Sequence, residues 1–268
     1  MAKERMELLI SALNAEPEEL LKRMKVASDA VLINQCGRND YREIALGEYT
    51  VKVYDYDARG IGLSRNAAMV RATADIVLFA DDDIAYDAGY QEKVLQAFES
   101  HPEADVIFFN FRIEESRATF HIEKEEKVGK RNCGRYGATV AAARIASIRK
   151  AGIQFSLYFG GGAPYSAGED SLFFMDCAKK GLKMVAVPVT LGEEVVREST
   201  WFKGYTEKFF FDRGVLYAFL YGKLAWPLSI RFILKKKQKM CQEVAPQKAL
   251  KLMKKGIREG RALKKGKV

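Results

Sequence analysis

Apolar residues come in short runs separated by amphipathic stretches, and this alternation continues over residues 6–113. The run "MELLISALNA" predicts a short buried strand leading into a polar loop. "EPEELLKRMKV" follows as a helix, with Pro17 near its start and Glu18 and Glu19 at the positive end of its dipole. "DAVLINQCG" is a second strand and "YTVKVYDYD", with clear alternation, a third. "GIGLSRNAAMVRATA" has apolar residues at helical spacing and predicts a helix beginning near Leu63 or Ser64. "DIVLFA" is an unbroken apolar run of the kind that fills the middle of a parallel sheet. "DAGYQEKVLQAFESH" reads as a helix and "ADVIFFNFRI" as a fifth strand.

The pattern then loosens. "EESRATFHIEKEEKVGKRNCGRYG" is a charged excursion without a clear period, after which "TVAAARIASIRKAG" predicts a helix. A glycine-rich loop, "FGGGAPYSAG", leads to a helix opened by Glu169 and ended by Gly181, and "LKMVAVPVT" is a last core strand. Beyond residue 200 the chain turns aromatic and basic. Strand and helix in alternation argue for an α/β layered domain over residues 1–200, with a mostly parallel central sheet flanked by helices. Residues 201–268 form a helical C-terminal extension to it.

Composition supports an ordered chain, since 48% of its 268 residues are hydrophobic and 11% aromatic, enough to fill a core. Cys36, Cys133, Cys177 and Cys241 are widely spaced with no CxxC pair, which argues against a disulfide scaffold or structural zinc and fits a reducing compartment. The opening "MAKERMELLI" is charged and unlike a signal peptide, and no segment has the roughly 18 uninterrupted apolar residues of a membrane span. A cytoplasmic protein is the expectation. The net charge of +9 is unevenly placed: residues 201–268 carry 18 Lys and Arg against 4 Asp and Glu, so the body before them is mildly acidic. Such a tail suits phosphates, and its mix of aromatic and basic residues suits the inner face of an anionic cell membrane, contacted peripherally. A tail packed on the domain of residues 1–200 or on a second subunit, in a dimer, is the plainer alternative. No nucleic-acid-reading motif accompanies the charge.

The chemistry starts at "FADDDIAY". Asp81, Asp82 and Asp83 end the strand "DIVLFA", and strand ends in parallel sheets form the crevice where ligands bind. Three adjacent carboxylates repel one another, and a hard divalent cation, Mg2+ or Mn2+, relieves that repulsion. Asp81 and Asp83, two apart, share a face of an extended strand. A solvated turn or a cap for the next helix is the other reading. The DxDx[T/V] pattern of haloacid-dehalogenase-like phosphatases and the acidic pair of receiver domains both belong after a first strand, and neither fits here. A second pair, Glu169 and Asp170, opens a helix after Gly160, Gly161 and Gly162. Alone it would read as helix-dipole placement.

Together the two pairs resemble the family 2 glycosyltransferases of the GT-A fold, a Rossmann-like architecture. The resemblance spans residues 8–200 and rests on "GIGLSRNAAMVRATADIVLFADDD" and "GEDSLFFMDCAKKGLKMVAVP". It implies an inverting, metal-dependent enzyme that moves a sugar from a nucleotide-sugar, UDP-sugar favoured, to a saccharide or lipid-linked saccharide during cell-surface glycan synthesis. By the same resemblance Asp83 and Asp81 are the metal-binding DxD pair, with Asp83 on the metal of the diphosphate and Asp81 facing the ribose or the metal's waters. Arg65 and Asn66 lie near the nucleotide, Asp170 is the general base and Glu169 supports it. Asp82 is grouped with the nucleotide-sugar contacts, though between its neighbours it should point away from the metal. Asn14 fits the family's first-strand Asn, and Asn34 with Gln35 stands where the family usually has V-D-D-G-S; an amide can bond a uracil edge. No His follows the base, so water, Glu198 or Ser199 of "REST" is expected as the further metal ligand, and His101 as a helix-end residue. The rival readings are a sugar-nucleotidyltransferase, which needs a Gly-rich loop where "LNAEPEE" stands, and a non-catalytic membrane- or nucleic-acid-binding module.

Overall fold

The structure is a computed structural model, and it describes residues 4–114, 120–195 and 204–266. Its centre is a ten-stranded mixed sheet. Strand β1 (Met6–Leu13) pairs in parallel with β2 (Asp29–Gln35) and with β5 (Ile76–Asp81), and β2 pairs in parallel with β4 (Tyr49–Tyr56). These four strands all end on one edge, which brings Leu13, Gln35, Tyr56 and Asp81 side by side. β3 (Asp40–Leu46) closes the outer edge antiparallel to β4. It was not legible as a strand, because its residues are exposed or half-buried on both faces.

On the other side of β5 the sheet changes direction. β9 (Ala141–Arg144) runs antiparallel between β5 and β7 (Val106–Arg112), and β7 pairs in parallel with β10 (Met184–Glu194). Short strands β6 (Ile84–Tyr86) and β8 (Glu126–Val128) both add to β10 antiparallel. The helix expected over "TVAAARIASIRKAG" is therefore shorter than the pattern implied. Ala141, Ala142 and Ala143 are fully buried in the sheet, and after one 3-10 turn at Ala138–Val140 the α-helix covers only Ile145–Ala151 (α4), ended by Gly152 at φ 64°. Alanine has high helix propensity, but its small side chain also fits the crowded middle of a sheet covered on both faces, and here packing overrides propensity.

Alternation along each strand sends residues to two cores. Leu8, Ile10, Leu32 and Leu78 pack with residues of α1 (Pro17–Met24) and α3 (Tyr90–Ser100). Leu9, Val31, Val77 and Phe79 pack on the opposite face with residues of α2 (Ile61–Arg71) and α5 (Glu169–Lys179). Pro17 takes the first helical position and Gly181 follows α5, as the sequence indicates. α2 begins at Ile61, slightly before the expected start, because Gly60 at φ 142° turns the chain into it. In the second core Phe155 and Phe173 stack at 4.0 Å with an interplanar angle of 5°, and Phe79 meets them edge-on at 5.4 and 5.8 Å. This rigid aromatic floor lies directly under the candidate site.

The extension forms α6 (Glu207–Tyr221), α7 (Ala225–Met240) and α8 (Pro246–Leu263). α6 and α8 approach backbone to backbone through glycines: a Cβ at Gly214 would stand 2.2 Å from the Met253 carbonyl oxygen, and one at Gly256 2.1 Å from that of Phe211. α6 in turn braces the glycine loop and the entrance to α5. Asp212 accepts hydrogen bonds from the Ser166 backbone N–H (2.9 Å) and hydroxyl (2.8 Å), and Leu216 lies against Gly168, where a Cβ would come within 2.5 Å of it. The basic side chains of α7 and α8, Lys235, Lys251 and Lys255 among them, remain exposed, and no described helix is long and apolar enough to cross a membrane. Trp201 and "REST", with Glu198 and Ser199, lie outside the described residues.

Replacing Gly256 with Leu should force α6 and α8 apart. We expect a loss of about 1–3 kcal/mol, the usual range for overpacking, read as a lower urea midpoint. An unchanged midpoint would mean that the close helix contact is not what holds the extension.

Candidate active site

The site is built around Arg65, on the second turn of α2. Its guanidinium is buried (3% exposed) between the ends of two elements far apart in sequence. Nη1 donates to Asp170 Oδ1 at 2.6 Å and lies 3.5 Å from Glu169 Oε1, while Nη2 donates to Asp81 Oδ1 and Oδ2 at 3.0 and 3.2 Å. The Phe155 ring supports the guanidinium from below at 5.3 Å, and Nε has no partner among the described residues. Burial alone would lower the pKa of Arg65, but Asp81, Asp170 and Glu169 reverse that and raise it, so the cation is permanent.

Each carboxylate is placed by a short local device. Asp81 ends β5 opposite Ser11 of β1, and Ser11 accepts a hydrogen bond from Ser64 of α2 at 2.8 Å. Asp170 and Glu169 occupy the first turn of α5, entered through Gly168 at φ 123°, a conformation that a side chain would strain. Gly160 permits the closest approach, since a Cβ there would fall 2.8 Å from Glu169 Cδ and 2.5 Å from Ile61. The Ile61 N–H also bonds the Gly161 carbonyl at 2.9 Å, so the glycine loop and the start of α2 form one unit. A Cβ at Gly137 would stand 3.4 Å from Asp170 Oδ2, so glycine there keeps that oxygen approachable.

The electrostatics are unbalanced toward negative charge. Desolvation and the neighbouring Asp170 push Glu169 up to about 7, with Arg65 pulling the other way. Burial likewise raises Asp81, opposed by Arg65. Asp81 and Asp83, with Glu194 from the end of β10, line a small cavity of about 150 Å³ that also includes Thr139 and Phe111. No group of three metal-ligating side chains comes together among the described residues. The donor set still suits magnesium or manganese, which take one or two carboxylates and complete their shells with water and phosphate oxygens. A single Arg against this many carboxylates leaves the charge excess that a cation would offset.

The remaining expected residues have internal partners. Asn34 bonds the Ala15 N–H through Oδ1 (3.0 Å) and donates from Nδ2 to the Ala15 carbonyl (3.0 Å) and to Asp55 (2.9 Å). Asn66 is tied in the same two-way fashion to the Phe155 backbone, at 2.9 and 2.8 Å, so it holds the loop beneath Arg65. Asp82 is buried and accepts from the Leu13 N–H at 3.3 Å, while Arg23 bonds its carbonyl at 3.1 Å. Asn14 is exposed at the end of β1 in a left-handed turn at φ 50°, which Asn tolerates. His101 ends α3, with Nδ1 on the Ala97 carbonyl at 2.9 Å.

One residue at this edge escaped sequence reasoning. Asp55, at the end of β4, is buried and accepts from Arg38 Nε (2.8 Å), Arg42 Nη1 (2.9 Å) and Asn34. Burial would raise its carboxyl, but these three donors outweigh it and bring the pKa down to about 2. Its signal was present: Val51, Val53 and Asp55 share the inward face of β4, and a carboxylate continuing an apolar face needs a partner.

Comparison with known proteins gives a consistent result. No curated protein matches the chain in sequence. Among solved structures, S. aureus TarS 1-349 in complex with UDP-GlcNAc is similar with a TM-score of 0.66 at 14% identity, over 98% of this chain and 92% of that one. S. aureus TarS 1-349 in complex with UDP gives 0.61 at 14% identity, over 89% and 73%. Against the longer S. aureus TarS structure the TM-score is 0.60, and this chain covers 44% of that one. These likenesses establish a GT-A-like fold that takes in the helical extension. The profile of glycosyl transferase family 2 matches residues 18–154, half of the chain, and includes β2, β4, Arg65 and all three aspartates of the triplet. The chain belongs to glycosyl transferase family 2.

Proposed function

We propose that the protein transfers a sugar from a nucleotide-sugar, UDP-linked by preference, to a hydroxyl of a saccharide or lipid-linked saccharide with inversion at the anomeric carbon. The observation that carries this reading is the Arg65 bridge, which joins the end of β5 to the start of α5 across one guanidinium. A displacement reaction needs leaving group and nucleophile around one carbon, and Arg65 holds Asp81 at Nη2 and Asp170 at Nη1. The S. aureus TarS complexes with UDP-GlcNAc and UDP, though distant in sequence, support a uridine diphosphate donor in this fold.

In this reading the nucleotide lies along the ends of β1, β2 and β4. Asn34 spends both N–H donors inside the protein, so it acts on the base by holding the loop at Ala15 and the carboxylate of Asp55. Asp83 and Asp81 hold a divalent cation, Mn2+ or Mg2+. When bound, it supplies positive charge to the diphosphate oxygens. Asp170 removes the proton of the acceptor hydroxyl as the oxygen bonds the anomeric carbon, and the electron pair of the breaking bond leaves on the diphosphate. Glu169 keeps Arg65 and Asp170 in register. A cell-surface glycan is the product class, and the exposed basic helices fit work beside an anionic membrane.

Asp170→Asn should lower turnover with a true acceptor by roughly 10²–10⁴-fold while nucleotide-sugar binding persists, the usual cost of losing a general base. Turnover equal to wild type would remove Asp170 from this role. Asp83→Ala should abolish the manganese dependence of nucleotide-sugar binding, measured by calorimetry; a retained metal response would move the cation elsewhere. The raised Glu169 carboxyl also has a consequence for stability. Its ordinary value is 4.5 and its folded value about 7, so the folded state holds the proton more tightly. Its contribution is fully present below pH 4.5 and is lost as pH rises through 7. Wild type should lose about 1–3 kcal/mol across that window in urea unfolding, and Glu169→Gln should flatten the slope. A slope identical in both proteins would assign the titration to another group.

A further inference from the structure

α7 carries apolar residues on two faces. Ala225, Ser229 and Ile233 recur every four residues and are buried. Ala225 packs with Ala218 of α6 and Ile257 of α8, and Ile233 with Phe210 and Met253 of the same two helices. A helix docked along one side normally turns polar side chains to the water on the other. Here Leu224, in the 3-10 turn just before α7, is 63% exposed, and Leu234 is 64% exposed. With the exposed Pro227 and Arg231 they follow one another at spacings of three and four, which puts all four along one line of the outer face.

Positive charge frames that line. At helical spacing Lys223 and Lys237 fall on one side of it and Lys235 and Lys239 on the other, and all four are exposed. α7 contains no Asp or Glu to offset them. Between α6 and α7 runs a groove of about 190 Å³, in which half-buried Tyr217, Tyr221 and Phe232 meet exposed Arg231, Lys235 and Lys236. Rings and long cationic side chains together suit the headgroup zone of a bilayer, where apolar parts sink and charges stay at the phosphates. Nucleic acid would use the cations and leave both leucines in water, whereas an anionic bilayer uses both. No described helix is long and apolar enough to cross a membrane, so such a contact is made lying flat.

We propose that α7 is a membrane-contact helix, seated flat on an anionic bilayer. Leu224, Pro227 and Leu234 enter the boundary of the acyl chains, and Arg231 and the flanking lysines meet the lipid phosphates. This deepens the function proposed above and rests on it only for its purpose, which is to hold the enzyme where a lipid-linked acceptor would be. The bilayer is recognised by charge and by a short apolar line together, and neither alone suffices.

The full-length protein is floated with vesicles of phosphatidylcholine alone and of phosphatidylcholine mixed with phosphatidylglycerol. It should bind the mixed vesicles, leave the neutral ones, and bind less as salt rises. The double variant Leu224→Ser, Leu234→Ser and the triple variant Arg231→Gln, Lys235→Gln, Lys236→Gln should each lose about tenfold in affinity for mixed vesicles. Both should keep the wild-type thermal midpoint, because the side chains replaced are exposed. A control that removes as much charge from exposed positions elsewhere, Lys22→Gln, Lys150→Gln, Lys180→Gln, should bind like wild type. Tryptophan emission of Leu234→Trp should move to shorter wavelength on mixed vesicles, beyond any change in wild type. No binding to mixed vesicles, full binding by the leucine variant, or an equal loss in the control would overturn the proposal. Preference for an RNA duplex over mixed vesicles would reassign the face to nucleic acid. Self-association in sedimentation that the leucine substitutions abolish would reassign it to a second copy, and either result overturns the proposal. Nucleotide-sugar binding is measured without vesicles: its failure would count against the donor reading and leave the vesicle result standing.

Discussion

The buried Arg65 guanidinium is the constraint on which the rest of the site depends. A cation at 3% exposure is tolerable only with carboxylates around it, and these carboxylates would repel one another without it. The chain meets this mutual requirement by bringing β5, α2 and α5 to one point. Phe155 and Phe173 form the floor, Asn66 ties the Phe155 loop to α2, and Gly160 and Gly168 admit the first turn of α5. Without Asp81, Glu169 and Asp170 the guanidinium would be a buried charge lacking partners, an expensive state inside a protein.

The same logic explains why the extension packs against the supports of the site. α6 reaches the glycine loop through Asp212 and the entrance to α5 through Leu216, and α8 presses on α6 through Gly256 and Gly260. Positions in a remote, basic, aromatic segment thus bear on the placement of Glu169 and Asp170. Small residues at that contact serve backbone approach, while the lysines on the outer faces of α7 and α8 stay exposed.

The parallel half of the fold was legible because its strands are apolar runs or clean alternations bounded by turn residues. The triplet at the end of β5 and the Glu-Asp opening of α5 were legible because their spacing from neighbouring elements is specific. Other features were hidden for physical reasons. β9 is written in alanines that favour a helix locally and become a strand only because β5 and β7 leave room for small side chains. β3 is exposed at an edge and carries little hydrophobic signal. Asn34 and Asn66 were read as ligand contacts from their positions; two-way bonding to backbone segments distant in sequence cannot be read from a single chain. Asp55 was missed because it is a carboxylate that collects two arginines, Arg38 and Arg42, from residues distant along the chain.

The central claim is that donor and acceptor carboxylates share one charge through Arg65. Calorimetric titration of wild type with a panel of nucleotide-sugars tests it most directly, at neutral pH, with and without Mn2+, in buffers of different ionisation enthalpy. The account predicts that a UDP-sugar binds and that binding exchanges protons with the buffer, because new charge in the site shifts the raised carboxyl of Glu169. Absence of binding by every nucleotide-sugar, with and without metal, would contradict the account, as would binding whose heat is the same in every buffer.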